Sequence, residues 1–278
     1  MRAAAVQLNS NEDKDRNLAA ADELTRAAAA DGAQLVVLPE KFNVLGTREH
    51  YEQGAESLDG PTVSWARAVA AELGIDLVAG SIVERREGRE KFSNTCVHVS
   101  PDGDIHAVYR KIHMFDVVVG GIEYKESASE EPGEEIVLSE LGDGEPLGLT
   151  VCYDLRFPEL FRILAIRGAT VVSLPAAFTK ITGEAHWEIL IRARAIENQV
   201  FMVAAGQVGL HPENKESYGN SMIVDPWGEV LARVTEDGPG YCVADLDFSR
   251  QAEVRDKLPS LANRQGNTYA WPEEAGVR

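Results

Sequence analysis

The chain has 278 residues, 44% hydrophobic and 26% charged, with a formal net charge of -18 at pH 7. That length and composition suit a globular protein whose core needs neither disulfides nor a structural metal. The acidic balance, densest from Glu123 to Glu145, repels nucleic acid and anionic membranes and argues against both as partners. Three cysteines, Cys96, Cys152 and Cys242, are too few and too odd in number for a disulfide framework. None has zinc-site spacing. The N-terminal stretch lacks the apolar core of a secretion signal, and no apolar run is long enough to span a bilayer. The expectation is a soluble protein of a reducing cytoplasm.

In chain order, Ala3–Leu8 reads as a buried strand, and an Ala-rich helix follows from Lys14 to Ala30, with Gly32 just past its end. Leu35-Val36-Val37-Leu38 is a β-branched run closed by Pro39. Pro61 opens a helix carrying Trp65, Val69 and Leu73 that stops near Gly74. Strands are expected at 76–84 and 92–99. Pro101-Asp102-Gly103 then turns the chain into a returning strand from Ile105 to Tyr109. Leu147–Val151 is a buried strand running straight into Cys152, and Pro158 starts a helix that ends near Gly168. A long helix is expected from His186 to Gln199, with Ile189, Arg192, Ala193 and Ile196 at helical spacing. Strands around 200–206, 221–224, 230–234 and 242–246 complete the chain, with Asp225-Pro226-Trp227-Gly228 turning between two of them.

The stretch Gly32–Pro39 (GAQLVVLP) is echoed by Gly168–Pro175 (GATVVSLP). Each copy follows a helix and ends a strand at proline. Two such units predict two similar halves whose sheets face each other, a four-layer α-β-β-α sandwich of class α/β, although glycine–strand–proline is also common punctuation. No segment resembles a linker, so a single domain over residues 1–278 is expected.

Three residues stand at strand ends. Cys152 sits where an apolar strand meets a short polar turn before a helix, a placement that exposes a nucleophile and aims backbone N–H groups at a developing oxyanion. The same context fits an inert buried thiol. Glu40 follows Leu38-Pro39, and Lys111 lies in Tyr109-Arg110-Lys111-Ile112-His113-Met114-Phe115-Asp116. Read alone, each is equally a solvated charge. Cys96 and Cys242 lie inside alternating strands and read as packing residues.

Taken together, Leu38-Pro39-Glu40, Tyr109–Asp116 and Val151-Cys152-Tyr153-Asp154-Leu155-Arg156-Phe157-Pro158-Glu159 resemble the nitrilase superfamily of carbon–nitrogen hydrolases, over nearly the whole chain. The resemblance implies an α-β-β-α sandwich and a Glu–Lys–Cys triad at Glu40, Lys111 and Cys152. It also implies a second glutamate, best matched by Glu126, with Glu123 and Glu130 as neighbours. Under it, Glu40 is the base, Lys111 and the Tyr153 N–H stabilise the oxyanion, and a Cys152 thioester forms and is hydrolysed. No metal or organic cofactor is implied. Segments such as Ser217-Tyr218-Gly219-Asn220-Ser221 resemble the Nit branch of amidases. That branch implies a linear amide as substrate, such as deaminated glutathione or an ω-amide of a 2-oxo acid. Phe115, Tyr153, Phe178, His186 and Trp187 are candidate substrate-binding residues, although Trp187 equally fits an anchor of its helix in the core. Arg192 and Arg194 could clamp a substrate carboxylate, but with Glu188 and Glu197 nearby they also fit structural ion pairs. An N-carbamoyl amino acid or polyamine amidohydrolase is the alternative enzyme, and a non-enzymatic binding protein the alternative outside catalysis. Nitrile hydrolysis fits less well, since Cys-Tyr-Asp replaces the Cys-Trp-Glu usual there. A homodimer or higher homo-oligomer is implied, through the helices after Pro158 and from His186.

Overall fold

A computed structural model describes residues 1–235 and 237–269. The first half runs β1 (Arg2–Gln7), α1 (Lys14–Ala30), β2 (Leu35–Val37), α2 (Arg48–Gly54), α3 (Pro61–Leu73), β3 (Asp76–Glu84), β4 (Ser93–Val99) and β5 (Ile105–Arg110), then a hairpin of β6 (Asp116–Val119) and β7 (Ile122–Lys125). The second runs β8 (Leu138–Glu140), β9 (Pro146–Leu149), α4 (Pro158–Ile166), β10 (Val171–Ala176), α5 (Lys180–Asn198) and β11 (Phe201–Gly206). A hairpin of β12 (Val208–His211) and β13 (Lys215–Tyr218) follows, then β14 (Met222–Val224), β15 (Val230–Arg233), β16 (Gly240–Asp245) and α6 (Phe248–Lys257).

Among the described residues two six-stranded sheets form, in the orders β16-β1-β2-β3-β4-β5 and β15-β14-β11-β10-β9-β8. The period of two along each strand assigns its faces. Ala3, Ala5, Leu35, Val37 and Val78 point between the sheets and join a core with Leu147, Leu149 and Val171. Ala4, Val6, Val36, Leu77 and Ala79 point the other way, onto Ala21 and Ala28 of α1 and Val63, Ala66 and Ala70 of α3. On the far side, Leu160, Phe161 and Leu164 of α4 and Trp187, Ile191 and Ala195 of α5 cover the second sheet. Each large apolar side chain buried in this way contributes about 1.5–3 kcal/mol. The result is the four-layer α-β-β-α sandwich.

The two echoed segments occupy equivalent places. β2 is flanked by parallel β1 and β3, and β10 by parallel β9 and β11. One expected boundary is corrected. The long helix begins at Lys180, not His186. Gly183 reads as a breaker in sequence, yet it lies inside the helix, where a Cβ would stand 2.3 Å from the Tyr218 side chain. Glycine is there for close packing and not to end a helix.

Candidate active site

The strand ends at the junction of the two sheets carry the charged groups. After β2 the chain passes Leu38-Pro39 to Glu40, and Lys41 turns it with a φ of 50°. The loop seats so closely on β3 that a Cβ at Gly80 would lie 2.0 Å from the Pro39 carbonyl oxygen. Lys111 follows β5 directly, and Glu126 follows β7. The hairpin before it is closed by Gly120 and Gly121, both at positive φ, as a two-residue hairpin turn requires. On the facing sheet, β9 leads to Cys152, which has a φ of 46° and opens a tight turn through Arg156. A non-glycine residue held in this region stores about 1–3 kcal/mol of strain, a pattern concentrated at functional sites.

These groups converge. Lys111 Nζ donates to Glu40 Oε1 at 3.0 Å and to Glu126 Oε1 and Oε2 at 2.9 and 2.8 Å. Asn94 Nδ2, from β4, donates to the same two carboxylates at 2.8 and 3.2 Å. Glu40 Oε2 accepts the Ala177 N–H at 2.8 Å, so the carboxylate that follows β2 is anchored on the loop leaving its echo, β10. The Phe115 N–H donates to Glu126 Oε2 at 2.7 Å. Behind them Lys41 Nζ lies 2.5 Å from Glu130 Oε1 and 3.5 Å from Glu126 Oε1. Lys111 is 1% exposed, Glu40 4% and Cys152 7%.

Burial penalises every charge in this cluster, so pairing decides its ionisation. Burial opposes the Lys111 ammonium, but Glu126 and Glu40 hold its pKa well above the usual lysine value. Burial raises Glu126, yet Lys111 and Lys41 pull it below the usual carboxylate range. Glu130 is pushed up to about 7 by burial, with Glu126 adding to the rise and Lys41 opposing it. Burial, then Glu40, push the Cys152 thiol well up, and Lys111 only partly offsets them. The resting sulfur is therefore a thiol, and it would need a base within reach to act as a nucleophile.

Glu40, Lys111, Glu126 and Cys152 line one cavity of about 340 Å³, within the range of small-molecule sites, together with Phe115, Tyr153 and Phe178. His186 and Trp187 do not line it. His186 is exposed and meets Arg156 Nη1 at 3.3 Å, while Trp187 is buried and donates to the Asn220 carbonyl at 2.8 Å. Both face away because α5 packs its inner side on the second sheet. Arg192 donates to the Gly228 carbonyl and Glu188, and Arg194 to the Leu155 carbonyl and Glu197. Both arginines are thus structural and lie outside the cavity lining. Sequence reasoning named Glu130 only as a neighbour of Glu126, and it missed Asn94, Lys41 and Tyr51, which stacks under the Lys41 ammonium at 4.6 Å. Only Asn94 left a signal, the polar run Ser93-Asn94-Thr95 inside a fully buried strand. Among the described residues no group of His, Cys, Asp and Glu could hold a metal ion. No helix there is long and apolar enough to cross a membrane.

Residues 2–256 match the family model described as carbon–nitrogen hydrolase. The chain is 42% identical over 272 residues to human deaminated glutathione amidase, covering 96% of this chain and 83% of that protein. It is 38% identical over 271 residues to human omega-amidase NIT2, covering 97% and 96%. Its fold superposes on Nit3 of Saccharomyces cerevisiae, a member of branch 10 of the nitrilase superfamily, with a TM-score of 0.86 at 30% identity over 96% of each chain. These matches set aside the binding-protein reading. The chain belongs to the carbon–nitrogen hydrolase family of the nitrilase superfamily, and it is an enzyme acting on amides.

Proposed function

We propose that Cys152, Glu40 and Lys111, with Glu126, hydrolyse a short linear carboxamide through a thioester. The carrying observation is the convergence of two carboxylates on one buried ammonium at the wall of the cavity that holds the thiol. Glu40 takes the Cys152 proton as sulfur attacks the amide carbon. Lys111 and the Tyr153 backbone N–H stabilise the negative oxygen of the tetrahedral adduct. Glu40 returns the proton to nitrogen, ammonia leaves, and the acyl group stays on sulfur. Water, deprotonated by Glu40, then adds to the thioester and releases the acid and the thiol. Glu126 keeps Lys111 charged and in place. Asn94, bonded to both carboxylates, holds their spacing.

The substrates that these relatives are named for, deaminated glutathione and ω-amides, are the first candidates. Both carry a carboxylate beyond the amide. The outer wall offers Arg48, Lys125 and Lys215 beside Glu123, Glu213 and Glu216; Lys215 pairs with Glu213 and Arg48 with Glu52, so at those two cations an anionic end exchanges into an existing pair. Both sheets supply groups to the site, which supports one domain over residues 1–278. Exposed Ile189 and Ile196 on α5 and Ile166 at the end of α4 support a homodimer through those helices, and three free cysteines suit a reducing cytoplasm. An ammonia-release screen over deaminated glutathione, 2-oxo-acid ω-amides, simple amides, nitriles and N-carbamoyl compounds tests the substrate class. Carbon dioxide released with the ammonia would favour the carbamoyl alternative. No ammonia from any carboxamide would refute the proposal.

A further inference from the structure

Asp154 lies two residues beyond Cys152 and is fully buried. Its carboxylate is saturated. Oδ2 accepts the Tyr109 hydroxyl at 2.6 Å and the Val151 N–H at 2.8 Å. Oδ1 accepts the His113 N–H at 3.3 Å and meets His113 Nδ1 at 2.7 Å. Tyr109 and His113 stand two residues either side of Lys111, and Val151 directly precedes Cys152. Tyr109 is on β5 of the first sheet and Val151 follows β9 of the second. Among the described residues, every hydrogen bond between positions 109–113 and 150–157 ends on this one carboxylate. The hydrogen bonds of the Lys111 ammonium, by contrast, run to Glu40, on the loop after β2 of its own sheet, and to Glu126, just past the β6–β7 hairpin, and none reaches the second sheet. The His113 ring stacks on Phe157 at 3.5 Å and 6°, which presses the far end of the nucleophile turn onto the same segment.

We infer that Asp154 is a positioning residue that sets the place of Lys111 relative to Cys152 across the two sheets, acting through Tyr109 and His113. The inference rests on the proposed roles of Lys111 and Cys152. A carboxylate is needed because donors approach both oxygens. An amide would turn an NH₂ towards two of them. Loosening this link shifts the ammonium away from where the oxyanion forms, and a misplacement of about 1 Å costs on the order of 10²-fold in rate. A buried aspartate that merely held the turn would lower stability without routing its effect through Lys111.

Tyr109→Phe separates the two cases. It keeps the ring and removes only the bond on the Lys111 side, leaving three donors on Asp154. kcat and KM for 2-oxoglutaramate, thermal midpoint and the rate of Cys152 alkylation by iodoacetamide are measured in the wild-type and Lys111→Met backgrounds. The expected result is a kcat lowered by about tenfold or more, with KM within about twofold and alkylation of Cys152 unchanged. In the Lys111→Met background the same change has no further effect on kcat, because coupled residues are not additive. His113→Gln, on the partly exposed side, should repeat the pattern and serves if Tyr109→Phe folds poorly. An unchanged kcat in both variants, or an equal fold loss in both backgrounds, overturns the positioning role. Wild-type kcat in Lys111→Met alone would overturn the catalytic reading itself, and the positioning role with it.

Discussion

Replacing Lys111 by methionine keeps the volume and removes the one ammonium that touches both Glu40 and Glu126. Three hydrogen bonds of 2.8–3.0 Å disappear. Two buried carboxylates then share only Asn94 Nδ2 between them, with Lys41 3.5 Å from one. Breaking a buried pair from one side costs about 3–5 kcal/mol of stability. The loss of an oxyanion donor adds a factor of about 10²–10³ in kcat, with a smaller change in KM, because the interaction strengthens only in the transition state. Arginine should not rescue, since the site is 1% exposed and sized for an ammonium, with no room for a planar fork. Steady-state ammonia release, with a thermal melt to confirm folding, measures both terms. A kcat within about threefold of wild type, well short of the loss expected of an oxyanion donor, would show that Lys111 is only a structural cation.

Cys96→Ala and Cys242→Ala should retain activity and lose only packing stability, because burial holds both thiols high, Cys242 at about 12, and neither lines the cavity; loss of turnover in either, with the fold intact, would contradict this. Glu130 has a folded-state pKa of about 7 against 4.5 unexposed to the fold, so its proton stabilises the native state fully below about 4.5 and that contribution is lost as pH rises through 7. Glu130→Gln should therefore flatten the fall in melting temperature between those pH values; an unchanged slope would refute it. Gly80→Ala places a methyl 2.0 Å from the Pro39 carbonyl oxygen, a backbone clash that no rotamer relieves. It should cost about 1–3 kcal/mol as an overpacking change and slow alkylation of Cys152 by displacing Glu40, whereas a normal alkylation rate would show that the loop tolerates the shift.

The layers of this fold were legible because strand periodicity and helix punctuation report burial directly. Ala3 to Val6 and Leu35 to Val37 alternate between the inter-sheet core and the helix layer, and the echo of 32–39 at 168–175 marked equivalent strands in the two sheets. α2 was not legible, since it buries none of its residues and has no apolar stripe. The start of α5 is not legible because Gly183, a poor helix former, sits inside it for the close approach of Tyr218. The site was less legible than the fold. Glu40, Lys111 and Cys152 stand out through their motifs, not through residue type, because a glutamate or lysine at a strand end is ordinarily solvated. Lys41 and Glu130 belong to the same buried cluster but sit in charged stretches that resemble surface. His186 and Trp187 are candidates for the pocket by sequence, but α5 turns His186 to solvent, and Trp187 takes the alternative place of a core anchor.

Hydrolysis by the proposed route passes through a covalent bond at one sulfur. Mixing the enzyme with excess amide substrate, quenching in acid within a turnover and measuring intact mass should show the mass of the protein plus that of the amide less one ammonia. Peptide mapping should place that mass on Cys152, and Cys152→Ala should show neither adduct nor ammonia release. Turnover by Cys152→Ala, or a wild-type enzyme that releases ammonia with no adduct under any quench time while other cysteine-dependent labels still report a reactive Cys152, would contradict it.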